Sequence, residues 1–304
     1  MTPRLLSSIS RPELSARLRG AGLLLRVSPF VVQIRSPIAV VADGLHSLYA
    51  DYELLEPGAH FSDFHIEVAR ARRFPKPQCV FRTDGLAPFT PLALGEAFAL
   101  MEWGLNWCIT GYSHTWITVH SAVLERNGCA VLLPAPPGSG KSTLCAGLML
   151  QGWRLLSDEM ALLDPLTGEI TPSPRPVSLK NQSIAIVHAR SPQSAMGPIA
   201  HDTMKGTVAH LQPTSDSVLR ASEPGKPAWV VFPKYVAGAS TQLTARGKAA
   251  SYMQLAENSF NQHAHGRSGF AALSNLIDRC DCYDFTYSNL DEAFSTFANL
   301  PPPA

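Results

Sequence analysis

The spacing of apolar residues changes along the chain, and each change marks an expected element. Residues 22–35 read as two short strands about Ser28-Pro29, rich in Leu and Val. Ser36-Pro37 supplies an N-cap followed by proline at the first helical position, so a helix is expected near 38–49. Phe64, Ile66 and Val68 alternate with His65, Glu67 and Ala69, the two-residue period of a half-buried strand. From Pro91 to Ile109 apolar residues recur at helical spacing. Within that run Trp103 and Trp107, four apart, are expected in the core.

After Gly111 the character shifts. Trp116 to Leu124 is β-branched and apolar, Asn127-Gly128 is a hairpin signal, and Cys129 to Leu133 makes the return strand. A Gly-rich turn leads into an expected helix over Lys141 to Gln151, stopped by Gly152. Short strands follow at Trp153–Leu156, Met160–Leu163 and Glu169–Thr171. Residues 172–227 are rich in Pro, Ser, His and Gly, which predicts long loops with short helices. Trp229–Phe232 reads as a core strand, then helices at 248–258 and 268–278 and a strand at 282–287. Ser288 with Asp291 gives a capping-box start to a last helix. The pattern divides the chain into an α+β region over 1–110 and an α/β region over 111–304.

Composition narrows the function. With 45% hydrophobic and 16% charged residues the 304-residue chain reads as globular, and a net charge of +1 offers no field for nucleic acid. Prolines and arginines interrupt the one early apolar stretch, Gly22 to Val41, so no membrane span is expected. The first 20 residues lack the apolar core of a secretory signal. Six scattered cysteines, without a CxxC pair, read as buried free thiols in a cytoplasmic protein. Arg70, Arg72 and Arg73 read as a solvated basic run, and the His263-Ala-His265 stretch as a loop rather than a metal site.

The chemistry concentrates at Ala135-Pro-Pro-Gly-Ser-Gly-Lys141-Ser142, a P-loop pattern with Ala135 in place of its first glycine. Glycines let successive backbone N–H groups curl round phosphate oxygens, and the helix start adds positive potential. Because Pro136 and Pro137 donate nothing, the expected cradle is Gly138, Ser139, Gly140, Lys141, Ser142 and Thr143. Lys141 is expected on the β- and γ-phosphates of ATP and Ser142 on Mg²⁺. Asp158 follows the next strand, at the edge where ligands gather in open α/β sheets, as a metal ligand or proton acceptor with Glu159 beside it.

His120-Ser-Ala-Val, Asn127-Gly128, Gly138-Ser-Gly-Lys-Ser-Thr, Gly152-Trp-Arg-Leu-Leu-Ser-Asp158-Glu159 and Lys205-Gly206 occur in the order found in HPr kinase/phosphorylase. More closely, the chain resembles the HprK-related kinase A family, over about residues 115–215. The resemblance implies a P-loop kinase core of the HPr kinase/phosphoenolpyruvate carboxykinase type. It implies transfer of the γ-phosphate to a hydroxyl, commonly serine, of a peptide, protein or small molecule. It assigns Asp158 as base, His120 to the neighbourhood of the phosphates, and Lys205 to steadying the transferred charge; homo-oligomers are known in the parent family. Taken alone, His120 reads as an ordinary strand histidine and Lys205 as a surface lysine. Thr143, Glu159 and Thr203 stand where the parent pattern has Glu, Asp and Glu. These departures, with the missing first glycine, motivate an alternative: a nucleotide-binding partner of a peptide-modification enzyme.

Overall fold

The computed structural model describes residues 3–56, 58, 60–71 and 76–301, so Arg72 and Arg73 of the basic run lie outside the described residues. The chain divides into two compact units, residues 1–112 with 175–219, and residues 113–174 with 220–304. This division differs from an uninterrupted 111–304 domain, because one excursion returns to the first unit.

The first unit opens with α1 (Arg11–Arg19), capped by the Ser10 hydroxyl, then β1 (Leu23–Val27) and β2 (Phe30–Arg35). Helix α2 spans Ala39–Leu48, within a residue of the expected start, and the Ser36 hydroxyl accepts from the Ile38 amide at 3.2 Å while donating to the Val68 carbonyl. There follow β3 (Leu54–Leu55), β4 (Phe64–Ala71), β5 (Gln78–Thr83) and β6 (Leu92–Ala93). They form one six-stranded sheet in the order β3-β1-β2-β4-β5-β6. Helix α3 (Ala97–Tyr112) begins six residues after Pro91, behind a short strand and a 3-10 turn. Trp103 and Trp107 are half-buried on it rather than in the core.

The second unit starts with β7 (Ile117–Arg126) and β8 (Cys129–Pro134). Their hairpin turn puts Asn127 and Gly128 at positive φ, 55° and 81°, which is why that dipeptide serves there. Next come α4 (Lys141–Leu150), β9 (Arg154–Ser157), β10 (Met160–Leu163) and β11 (Ile170–Thr171).

The excursion then contributes β12 (Val177–Lys180), α5 (Gln182–Arg190), β13 (Ala200–Thr203), β14 (Gly206–Leu211) and α6 (Ser215–Leu219) to the first unit. Three of these form a sheet, β12-β14-β13, where long loops were expected. The strands are four to six residues long and flanked by proline and polar residues, so their alternation is too brief to stand out. Arg175 pairs with the buried Glu102 at 3.5 Å, and Phe98 meets His210 edge-on at 5.4 Å, which ties this segment to α3.

The chain completes the second unit with β15 (Lys226–Tyr235), β16 (Gln242–Ala245), α7 (Lys248–Glu257), α8 (Gly266–Arg279), β17 (Asp281–Tyr287) and α9 (Leu290–Ala298). Asn289, not Ser288, caps α9: its side chain accepts from the Asp291 and Glu292 amides while Ser288 donates to Ala239 O. The sheet order is β11-β10-β7-β8-β15-β17-β16, with β9 also on β7, and β15 runs parallel to both β8 and β17. Alternate residues of these strands face opposite layers. Val123, Leu132 and Cys282 pack with Leu273 and Ile277 of α8, whereas Phe285 stacks edge-on against Phe297 of α9. The molecule is therefore of mixed α/β class. Among the described residues no helix is long and apolar enough to cross a membrane.

Candidate functional site

The site grows from the connection between β8 and α4. Proline ends β8, and Gly138 and Gly140 then take φ of +86° each, a left-handed conformation open to glycine. Gly140 is the N-cap of α4 and has no side chain to bond the first-turn amides, so the amides of Lys141, Ser142 and Thr143 have no intrahelical acceptor. The Ser139 hydroxyl oxygen is buried without a hydrogen-bond partner. Left-handed glycines, uncapped amides and an orphaned hydroxyl at a helix start fit a polyphosphate.

The loop is held from behind by two tyrosines. The Tyr287 hydroxyl donates to Gly140 O at 3.0 Å, and the Tyr235 amide donates to Ser139 O at 2.9 Å. A Cβ on Gly140 would lie 2.5 Å from the Tyr287 oxygen, so this glycine is required for packing as well as for its φ. Burial first, then Tyr235, raises the Tyr287 phenol above its ordinary range and keeps it a donor.

Lys141 is 6% exposed, and its ammonium donates to the Asp158 carbonyl at 2.8 Å and lies 3.4 Å from His120 Nε2. An ammonium has only donors, so this contact calls for an unprotonated Nε2. His120 reaches the place because β7 pairs with β10, His120 opposite Met160, just beyond the β9–β10 connection that carries Asp158 and Glu159. Asp158 is 4% exposed and Glu159 half-buried. The structure thus brings Lys141, His120 and Asp158 together with the cradle residues Gly138 to Thr143. Ser142 and Thr143 are half-buried in the first turn of α4.

Cys145, which the sequence marks only as a buried thiol, lies one turn beyond Lys141 on α4. Burial first, and then the nearby Asp158 carboxylate, push its thiol well above the usual thiol range, against the pull of Lys141. The signal available in the sequence is its i+4 spacing from Lys141, which sets both on one helix face. All six cysteines are free, and all but Cys129 are buried.

Lys205 lies in the first unit, in the tight Met204-Lys205 turn between β13 and β14, with its ammonium 4.7 Å from the centre of the Trp103 ring. In the His263–His265 stretch, the neighbouring Asn261 is a structural clamp: its side chain accepts from the Thr118 amide and donates to Trp116 O, pinning β7. Among the described residues no cluster of three or more His, Cys, Asp or Glu could hold a metal alone. A magnesium–nucleotide site needs none, since phosphates and water supply most ligands and one or two protein oxygens suffice. Ser142 and Asp158 offer such oxygens. No protein-family model matches the chain, and no curated protein matches it.

Proposed function

We propose that the second unit is a kinase core of the HPr kinase type that moves the γ-phosphate of ATP to a hydroxyl, most simply a serine, of a peptide, protein or small molecule. The observation that carries this reading is the buried Lys141 ammonium held between His120 and the Asp158 carbonyl at the mouth of a left-handed glycine turn. A lysine fixed there meets the β- and γ-phosphates as a point charge whose position needs no reorganisation.

In this reading the amides from Gly138 to Thr143 bind the phosphate oxygens. Mg²⁺, when bound, neutralises charge on the β- and γ-phosphates, with Ser142 and Asp158 or Glu159 as its protein ligands. The Asp158 carboxylate takes the proton of the acceptor hydroxyl as that oxygen bonds to phosphorus and the bridging P–O bond breaks towards ADP. His120 accepts from Lys141 and so aims the ammonium. All of these groups belong to the second unit.

The test follows γ-labelled ATP with Mg²⁺ into peptide and metabolite fractions. Asp158→Asn is expected to keep ATP affinity and lower transfer about 10²–10⁴-fold, the usual share of a general base. Lys141→Ala is expected to lose both binding and transfer. Tight ATP binding without label transfer or hydrolysis by the native chain would sink the kinase reading and leave a nucleotide-binding partner.

A further inference from the structure

We infer that the exposed ring of Tyr235 is the platform on which the base of the bound nucleotide stacks, an inference that rests on the nucleotide reading above and extends it to the far end of the ligand. The glycine-rich loop leaves β8, and β8 has different neighbours on its two sides, β7 on one and β15 on the other. On the β7 side stand His120 and Asp158, which meet the Lys141 ammonium. A triphosphate whose terminal phosphates sit at that ammonium runs away from it across the loop, towards β15.

The residue waiting on that side is Tyr235. It is the last of β15, and because β15 runs parallel to β8 it emerges at the same edge as the loop. Its amide bonds Ser139 O, and its Cβ lies 2.9 Å from where a Gly140 Cβ would be, so the side chain departs from the loop itself. The residue is 48% exposed, while the edge-on Tyr287 ring, 5.7 Å away, backs it. Tyr287 is 1% exposed and is anchored through its hydroxyl to Gly140 O, so the backing ring cannot give way.

A half-exposed aromatic ring backed by a buried one is suited to a π-face, and stacking is indifferent to the edges of the base. The platform therefore favours purines, which offer the larger face, and does not separate ATP from GTP. The phenol is not the recognising group; the ring is.

Tyr235→Ala keeps the amide and the Cβ that touch the loop and removes only the ring. Titration calorimetry in Mg²⁺ would compare native chain, Tyr235→Ala and Tyr235→Phe with ATP, GTP and inorganic tripolyphosphate, which has no base. The expected result is a loss of at least about fivefold in affinity for ATP and GTP in Tyr235→Ala. Tyr235→Phe should behave as native, and tripolyphosphate should bind all three alike. Unchanged ATP affinity in Tyr235→Ala, or an equal loss for tripolyphosphate, would overturn the platform while leaving the phosphate cradle standing. Failure of the native chain to bind either ATP or tripolyphosphate would overturn the nucleotide reading, and the platform with it.

Discussion

At the scale of single residues, the two left-handed glycines of the loop do different work. Both have φ of +86°, yet a Cβ on Gly138 would meet nothing within 4 Å, whereas on Gly140 it would press on Tyr287 and Tyr235. Gly138→Ala should therefore cost only the torsional term, about 1–2 kcal/mol. Gly140→Ala should cost that and also break the Tyr287 bond to Gly140 O, giving the larger fall in thermal midpoint and a loss of ATP binding. Equal falls in the two melting curves would show that the tyrosines do not shape the loop. Much at this scale was legible beforehand. Motif and order point to Lys141, His120 and Asp158, and the structure sets the Lys141 ammonium against His120 Nε2 and the Asp158 carbonyl. They do not point to Cys145, Tyr235 and Tyr287, because the relevance of those three depends on strand neighbours and helix facing that no local pattern encodes.

At the scale of elements, periodicity predicted best where runs were long. The β7–β8 hairpin, α4, α7, α8 and β17 lie where the pattern puts them, within a residue or two. Caps were less legible, since Ser288 is a good cap residue whose hydroxyl goes to Ala239 O, leaving Asn289 to cap α9. Helix α3 shows how packing overrides local preference. Gly104 sits in its interior, where alanine is favoured by about 1 kcal/mol. A Cβ there would enter the Phe81 ring, which is fully buried in β5 and cannot retreat. Gly104→Ala should accordingly destabilise the chain by about 1–3 kcal/mol in urea unfolding, despite the better helix former. Adding Phe81→Leu should recover part of that loss; no recovery would place the strain elsewhere.

At the scale of the whole molecule, the sequence suggests a boundary near 110, and the chain does change units between Tyr112 and Ser113. It gives no sign of the return at 175–219, because the Pro- and Ser-rich composition of that stretch hides three short strands. A fragment of residues 111–304 would carry this stretch without the groups it packs on. Arg175 would lose Glu102, His210 would lose Phe98, and Ser215 would lose Asp51, its hydrogen-bond partner at 2.7 Å. The second unit, by contrast, is pinned on both sides of the excursion by one strand. The Ser173 amide donates to Leu156 O at 2.8 Å, and Arg154 donates to Arg220 O at 2.9 Å, two residues apart on β9. Arg154 is itself fixed by a buried pair with Glu125 at 2.7 Å on β7. Residues two apart on a strand are separated by about 7 Å, and the Arg154 side chain adds its own length before it meets Arg220 O, so a Gly/Ser linker of roughly ten residues is chosen to span the gap. A chain of residues 113–174 joined through that linker to 220–304 should then melt cooperatively and give the same ATP titration as the full chain, whatever that titration shows. The unbroken 111–304 fragment should aggregate or bind a hydrophobic dye. The reverse outcome, a well-folded 111–304 and a molten linked chain, would show that the excursion belongs to the second unit after all.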